Sequence, residues 1–179
     1  MQNKVEEAKK ILLGNRKDGY TLPTNNKLYP AQWNWDSAFI ALGYSYFNLD
    51  YSITEIETLL NGQWEDGMVP HILFHEKDTS YFPNHTTWQC GKNIPSSGIT
   101  QPPVLASILI KIVEKNQLSK EQQSRIIKII KKIKNYHDWF IKFRDPNKTG
   151  LVSILHPWES GYDNSPIWDQ PMSNIKVDK

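Results

Sequence analysis

Close to its C-terminal end the chain carries His156-Pro157-Trp158-Glu159-Ser160-Gly161-Tyr162-Asp163-Asn164-Ser165-Pro166-Ile167-Trp168-Asp169, in which three carboxylates alternate with three large aromatic rings. Gly and Pro stop this run from continuing as regular helix or strand. An indole face stacks on the apolar side of a pyranose, and carboxylates accept hydroxyl hydrogen bonds and exchange protons, so the combination suits a sugar. Composition alone equally admits an irregular surface loop whose rings fill gaps in the core.

A second cluster, Tyr29-Pro30-Ala31-Gln32-Trp33-Asn34-Trp35-Asp36, sets two Trp side chains two residues apart just ahead of an uncharged stretch. Either the indoles wall a sugar site and Asp36 accepts from hydroxyls, or the indoles are core and Asp36 caps a helix. Gln101, before Pro102-Pro103, is either a turn residue or a side chain that donates and accepts at the mouth of a helix. His71 and His75, with Glu76 adjacent and His85 and Cys90 downstream, invite a metal reading, but no zinc-motif spacing is met. Neither a metal site nor a cofactor is expected. The motifs G-x-S-x-G, G-x-x-x-x-G-K-[ST] and G-x-G-x-x-G are absent, and Cys90 has no activating context, which argues against serine-hydrolase, nucleotide and thiol chemistry.

These clusters need elements to hold them. A first amphipathic helix is expected from about Val5 to Leu13, with Val5, Ala8, Ile11 and Leu12 on one face and Gly14 as its stop. A polar turn follows at Pro23 to Asn26. A second helix should begin with Asp36 as its cap or first turn and run to Phe47; with no charge from Ser37 to Leu49, it should be buried on most of its circumference. A third, starting at Asp50 or Ser52 and stopping at Asn61-Gly62, places Ile53, Ile56, Leu59 and Leu60 inward, with Glu55 and Glu57 facing water. From Gln63 to Gly98 turn signals abound and periodicity is absent, the pattern of a long ordered loop with a functional role. Gln101-Pro102-Pro103 introduces another buried helix over Val104 to Ile110, with Pro in its first turn. Ser119 and Gln122 form a capping box for the next, whose apolar stripe is Ile126, Ile129, Ile130, Ile133, Tyr136, His137 and Phe140. Its lysines, Lys128, Lys131, Lys132 and Lys134, read as a solvated face rather than a nucleic-acid stripe. Asp145 to Gly150 is a turn, and Leu151 to Leu155 a short extended piece.

Uncharged and charged helices therefore alternate. A double ring of helix hairpins does this most simply, with uncharged helices inside and charged ones outside. Loops entering the inner helices then converge at one end, where they bring Trp33, Trp35, Asp36, Gln101 and the C-terminal run together as a pocket.

The composition narrows the function classes. At 179 residues, with 39% hydrophobic and 22% charged, the chain has the makings of one globular domain. A formal net charge of +2 creates no strong field for nucleic acid or a membrane surface. The single cysteine excludes an intrachain disulfide, and no long apolar run or signal-like start occurs, so a cytoplasmic protein is expected.

Four segments carry a resemblance: Trp33-Asn34-Trp35-Asp36-Ser37-Ala38-Phe39, Gly67-Met68-Val69-Pro70-His71, Thr100-Gln101-Pro102-Pro103 and His156 to Pro166. In this order they resemble the motifs of glycoside hydrolase family 63, above all its bacterial members that hydrolyse glucosylglycerate or mannosylglycerate; the family also holds the processing mannosyl-oligosaccharide glucosidase. The resemblance implies an inverting α-glycosidase on an all-α fold, an α/α toroid of six hairpins. By motif position Asp163 resembles the general acid. Trp33, Trp35, Asp36, Gln101 and Trp158 resemble residues lining the subsite for the cleaved sugar, and Tyr29 and Glu159 are counted with them as substrate-binding. The expected partner is a small carbohydrate.

Family members are longer, and their general base is a Glu on a later hairpin. Residues 1–179 are accordingly expected to form the N-terminal part of one catalytic domain, an incomplete toroid of about half the ring. Glu159 is a poor substitute base: it lies four residues from Asp163, whereas an inverting pair needs roughly 6.5–9.5 Å with a water between. The alternative is a non-catalytic sugar-binding remnant. A half-ring should also expose apolar flanks of its inner helices, such as Ile108 to Val113, and either self-associate or bind the missing half.

Overall fold

The computed structural model describes residues 2–24 and 28–176. The turn expected at Pro23 to Asn26 lies partly outside the described residues, as does Lys179.

Among the described residues the architecture is all-α apart from one two-residue strand pair. Helix α1 spans Gln2–Gly14, α2 Asn34–Tyr44 and α3 Leu49–Asn61. Helix α4 is a single turn, His85–Trp88, within the long loop; α5 spans Leu105–Lys115 and α6 Lys120–Trp139. A π-helical turn, Phe140–Arg144, extends α6, and α7, Asp169–Ser173, is the last helix of the described residues. Helix α2 packs on α1, α3 and α5, while α3 packs on α6. The inner layer is thus α2 and α5 and the outer layer α1, α3 and α6, a partial α/α toroid. Between the layers lies one apolar core, built on Ile53, Ile56, Leu59, Leu105, Ile112, Ile129 and Tyr136.

The local chemistry explains the boundaries. Asn48 caps α3 by accepting from the Tyr51 amide at 3.0 Å, and the Ser119–Gln122 capping box forms in both directions at the start of α6. Asp36 lies in the first turn of α2, as expected, with the helix beginning at Asn34; it ends at Tyr44 rather than Phe47, and Asn48 caps α3 four residues on. The prolines precede α5 instead of sitting in its first turn. Pro103 holds Pro102 away from helical backbone, and the first helical bond runs from the Ile108 amide to the Val104 carbonyl.

Three expectations about burial change. Helix α5 is not buried all round: Leu105, Ile108, Leu109 and Ile112 face the core, while Ser107 and Ile110 are exposed. In α6, Ile130 turns outward and Trp139 joins the buried stripe in its place. Glu55, expected in water, is only 2% exposed, because Thr21, Gln32 and Ser37 close over its side of α3.

Candidate active site

Strands β1, Gln32–Trp33, and β2, Ile72–Leu73, pair antiparallel with Gln32 opposite Leu73 and Trp33 opposite Ile72. The pair is short but decisive for placement. It sets His71 beside the start of α2, where the Asn34 amide donates to the His71 carbonyl at 3.0 Å. Trp33 is buried among Tyr29 and Tyr81, with both rings edge-on at centroid distances of 5.1 and 5.3 Å.

One residue further, the Trp35 amide donates to Gln101 Oε1 at 3.0 Å. The Gln101 backbone is itself held, since the Tyr136 hydroxyl of α6 donates to its carbonyl at 2.8 Å. Tyr136 also accepts from Asn34 Nδ2 and hydrogen-bonds Thr100. A single buried phenol therefore ties α2, the Thr100–Gln101 segment and α6 together.

The C-terminal run closes the site. It forms a 3-10 turn over Pro157–Ser160 and then turns through Gly161, where φ is +68° and a Cβ would stand 2.4 Å from Trp35 Cη2. Trp158 lies edge-on to His71 at 5.8 Å.

These segments enclose a cavity of about 490 Å³. Tyr29, Trp33, Trp35 and Asp36 border it from one side, and Gln101, Trp158 and Asp163 from others. His71, Tyr81, Gly161 and Asn164 complete most of the wall. A second depression of about 430 Å³ shares Trp158, Asp163 and Asn164 with the first and adds His156, Trp168 and Asp169. Asp163 thus stands on the wall common to both spaces.

Burial sets the protonation of this site. It raises the Asp36 carboxyl above the usual carboxylate range. It also raises Asp163, against the opposing charge of His156. His71 is pushed down to about 3, chiefly by burial and then by His156, so its imidazole is neutral near pH 7. Its Nδ1 is buried with no hydrogen-bond partner among the described residues.

Seven of the eight expected site residues border the cavity. Glu159 does not. Its side chain is buried against the Arg144 guanidinium, its Oε1 also accepts from the Thr100 amide at 3.3 Å, and its Oε2 accepts from the Leu155 amide at 2.9 Å. The carboxylate is thus engaged within the protein, and it fastens the motif to the π-helical turn after α6 and to the residue before Gln101. Nothing in the sequence spacing signals Arg144 as its partner. His71, weighed only as a metal ligand, belongs to the cavity wall, and its place at the end of Gly67-Met68-Val69-Pro70-His71 was the available signal. His75 instead bonds Gln32 Oε1 at 2.7 Å.

The profile of the mannosylglycerate hydrolase MGH1-like glycoside hydrolase domain matches residues 29–179. The chain belongs to this glycoside hydrolase family. Among relatives of the MGH1-like domain, a mannosylglycerate hydrolase of Thermus thermophilus is 43% identical over 175 residues, covering 96% of this chain and 42% of the relative. A glucosylglycerate hydrolase of Mycolicibacterium hassiacum is 35% identical over 160 residues, covering 83% of this chain and 36% of the relative. The crystal structure of a family 63 mannosylglycerate hydrolase from Thermus thermophilus, in complex with Tris and D-glycerate, superposes with a TM-score of 0.87 at 42% identity, covering 97% of this chain and 43% of that one. This MGH1-like chain spans well under half the length of the relatives it matches. Its membership agrees with the double layer of helices and with a cavity walled by indoles and carboxylates. Among the described residues no helix is long and apolar enough to cross a membrane.

Proposed function

We propose that residues 1–179 supply the acid side and the cleaved-sugar subsite of an inverting α-glycosidase acting on a small α-mannoside or α-glucoside, such as mannosylglycerate or glucosylglycerate. One observation carries the reading: Asp163 lies on the wall shared by two adjoining spaces, where the oxygen joining a sugar to its aglycone would sit. Asp163, its carboxyl raised by burial, protonates that oxygen as the bond breaks. Trp33, Trp35 and Trp158 offer ring faces and edges to the sugar, and Asp36 and Gln101 hold its hydroxyls. Neutral His71 contributes a polar edge without adding charge.

The attacking water needs a carboxylate base on the opposite face of the sugar. With Glu159 bound to Arg144, that base comes from a segment outside these residues, in the rest of one catalytic domain or on a partner half-ring. The single cysteine suits a cytoplasmic setting. The second reading, a sugar-binding chain without turnover, is favoured by the same occupied Glu159.

Calorimetry of the 179-residue chain with mannosylglycerate and glucosylglycerate, run beside a hydrolysis assay on the chain joined to a family 63 C-terminal half, separates the two. Hydrolysis that falls by about 10²–10⁴-fold on Asp163→Asn, with binding retained, is the expected result. Near-normal turnover in Asp163→Asn overturns the assignment, and binding with no turnover in any assembly supports the second reading.

A further inference from the structure

At the start of α2 the backbone passes from strand to helix. Trp33 is extended, Asn34 opens the helix, and no side chain caps it. The backbone changes conformation in the middle of Trp33-Asn34-Trp35-Asp36, the segment that gives the cavity three of its walls. Beside the bonds that Gln101, His71 and Tyr136 make to Trp35 and Asn34, a further support of the change comes from the outer helix. Glu55 Oε1 accepts from Gln32 Nε2 at 3.1 Å and from Ser37 Oγ at 2.7 Å, one residue before the segment and one after it. Its Oε2 accepts from Thr21 Oγ1 at 2.8 Å.

Gln32 is locked in turn. Its Oε1 meets His75 Nε2 at 2.7 Å, so the amide nitrogen faces Glu55 and His75 donates. His75 stacks on Tyr20 at 4.2 Å. No salt bridge among the described residues reaches Glu55. The groups around it are Tyr20, Tyr44 and His75, with Arg16 behind Tyr44 and Glu76 beyond Tyr20. Arg125 and Lys132 of α6 meet α3 elsewhere, at Glu57 and the Leu60 carbonyl.

We propose that Glu55 is a positioning residue for the sugar cavity: its buried carboxylate clasps Gln32 and Ser37 and thereby fixes the strand-to-helix turn that aims Trp33, Trp35 and Asp36. This rests on the function proposed above only for the ligand, not for the clasp. Burial, opposed by the hydrogen bonds from Ser37, Thr21 and Gln32, places the Glu55 carboxyl at about 7, so the clasp changes charge near neutrality.

The test is ¹⁵N–¹H NMR of the indole groups in the 179-residue chain. Glu55→Gln keeps the volume but turns an acceptor into a donor. It should displace the Trp33 and Trp35 indole signals and leave Trp64, Trp139 and Trp168, whose indoles donate to Ser96, Asp66 and Tyr162. In the wild type the first two signals should move in one step near pH 7 that is lost in Glu55→Gln. Unmoved signals, equal movement of all indoles, or a step that survives the substitution overturns the proposal. Should Glu55→Gln fail to fold, Ser37→Ala removes one arm of the clasp and must displace Trp35 selectively; an unmoved Trp35 overturns it. A mannosylglycerate titration should show roughly tenfold weaker binding in Glu55→Gln, and equal binding counts against the clasp. If wild type binds no mannosylglycerate, the functional reading fails while the indole signals still decide the role of Glu55.

Discussion

The Trp35 indole lies directly on Gly161, near enough that a Cβ at that position would stand 2.4 Å from Cη2. That contact joins the beginning of the inner helix to the segment that carries Asp163, far apart in the chain. The N-terminal and C-terminal walls of the cavity therefore meet here, at a position where a Cβ would collide with the indole.

Gly161→Ala should be costly on two grounds. The left-handed backbone alone takes about 1–2 kcal/mol from any other residue, and the overlap with Trp35 adds to it. Urea unfolding should show a loss of at least that size, and sugar binding should weaken beyond what the stability change accounts for. Unchanged binding would show that Trp35 does not set the cavity wall.

Removing one member of the Arg144–Glu159 pair leaves a buried charge without its partner. Glu159→Gln should lower stability by about 3–5 kcal/mol, whereas Arg144→Met with Glu159→Leu should recover most of the loss. The double variant still forfeits the bonds to the Thr100 and Leu155 amides, so its sugar binding should remain impaired. Denaturant titration of the three proteins, with calorimetry on each, checks both halves of the prediction.

Stability should respond to pH in two opposed ways. His71 is held near 3 against an unfolded value of 6.5, so the unfolded chain binds the extra proton between them; its contribution is present above 6.5 and lost as pH falls toward 3. Glu55 is held near 7 against an unfolded value of 4.5, so the folded chain binds more protons there; its contribution is present below 4.5 and lost as pH rises through 7. Each has a limiting slope of about 1.4 kcal/mol per pH unit. Relative to wild type, His71→Gln should gain stability as the medium is acidified below 6.5, and Glu55→Gln should gain as it is made alkaline from 4.5 to 7. Thermal melts across this range measure both, and trends of the opposite sign contradict the assignment of these groups.

The open side of the half-ring should be adhesive. Phe39 and Ile110 of the inner helices are 53% and 57% exposed, and Leu151 and Leu155 are more so. Sedimentation should reveal concentration-dependent association that Phe39→Ser with Ile110→Lys reduces. A strictly monomeric wild type would exclude this face as a contact surface.

The helices were legible because long apolar periodicities dominate them. Ser119 and Gln122 announced their capping box, and Asn61-Gly62 marked the end of α3. Tyr29, Trp33, Trp35, Asp36, Gln101, Trp158 and Asp163 surround one cavity because loops entering inner helices open at the same end. What failed to show was pairing across the chain. Helical spacing puts Glu55 beside the apolar stripe and facing outward; only the return of Thr21, Gln32 and Ser37 over it makes it interior. Glu159 likewise looked like a free carboxylate beside Asp163, since its partner Arg144 stands at the end of α6 with no local pattern to announce it.

The Tyr136 phenol, bound to Asn34, Thr100 and Gln101, has a consequence for biosynthesis. A nascent chain that has reached only Asn116 already contains both inner helices, yet lacks the phenol that sets their distance and the Trp158–Asp163 wall. The wall of the cavity that carries Asp163 is therefore among the last parts of these residues to leave the ribosome, and a stop codon anywhere ahead of Asp163 yields a chain in which that wall is incomplete.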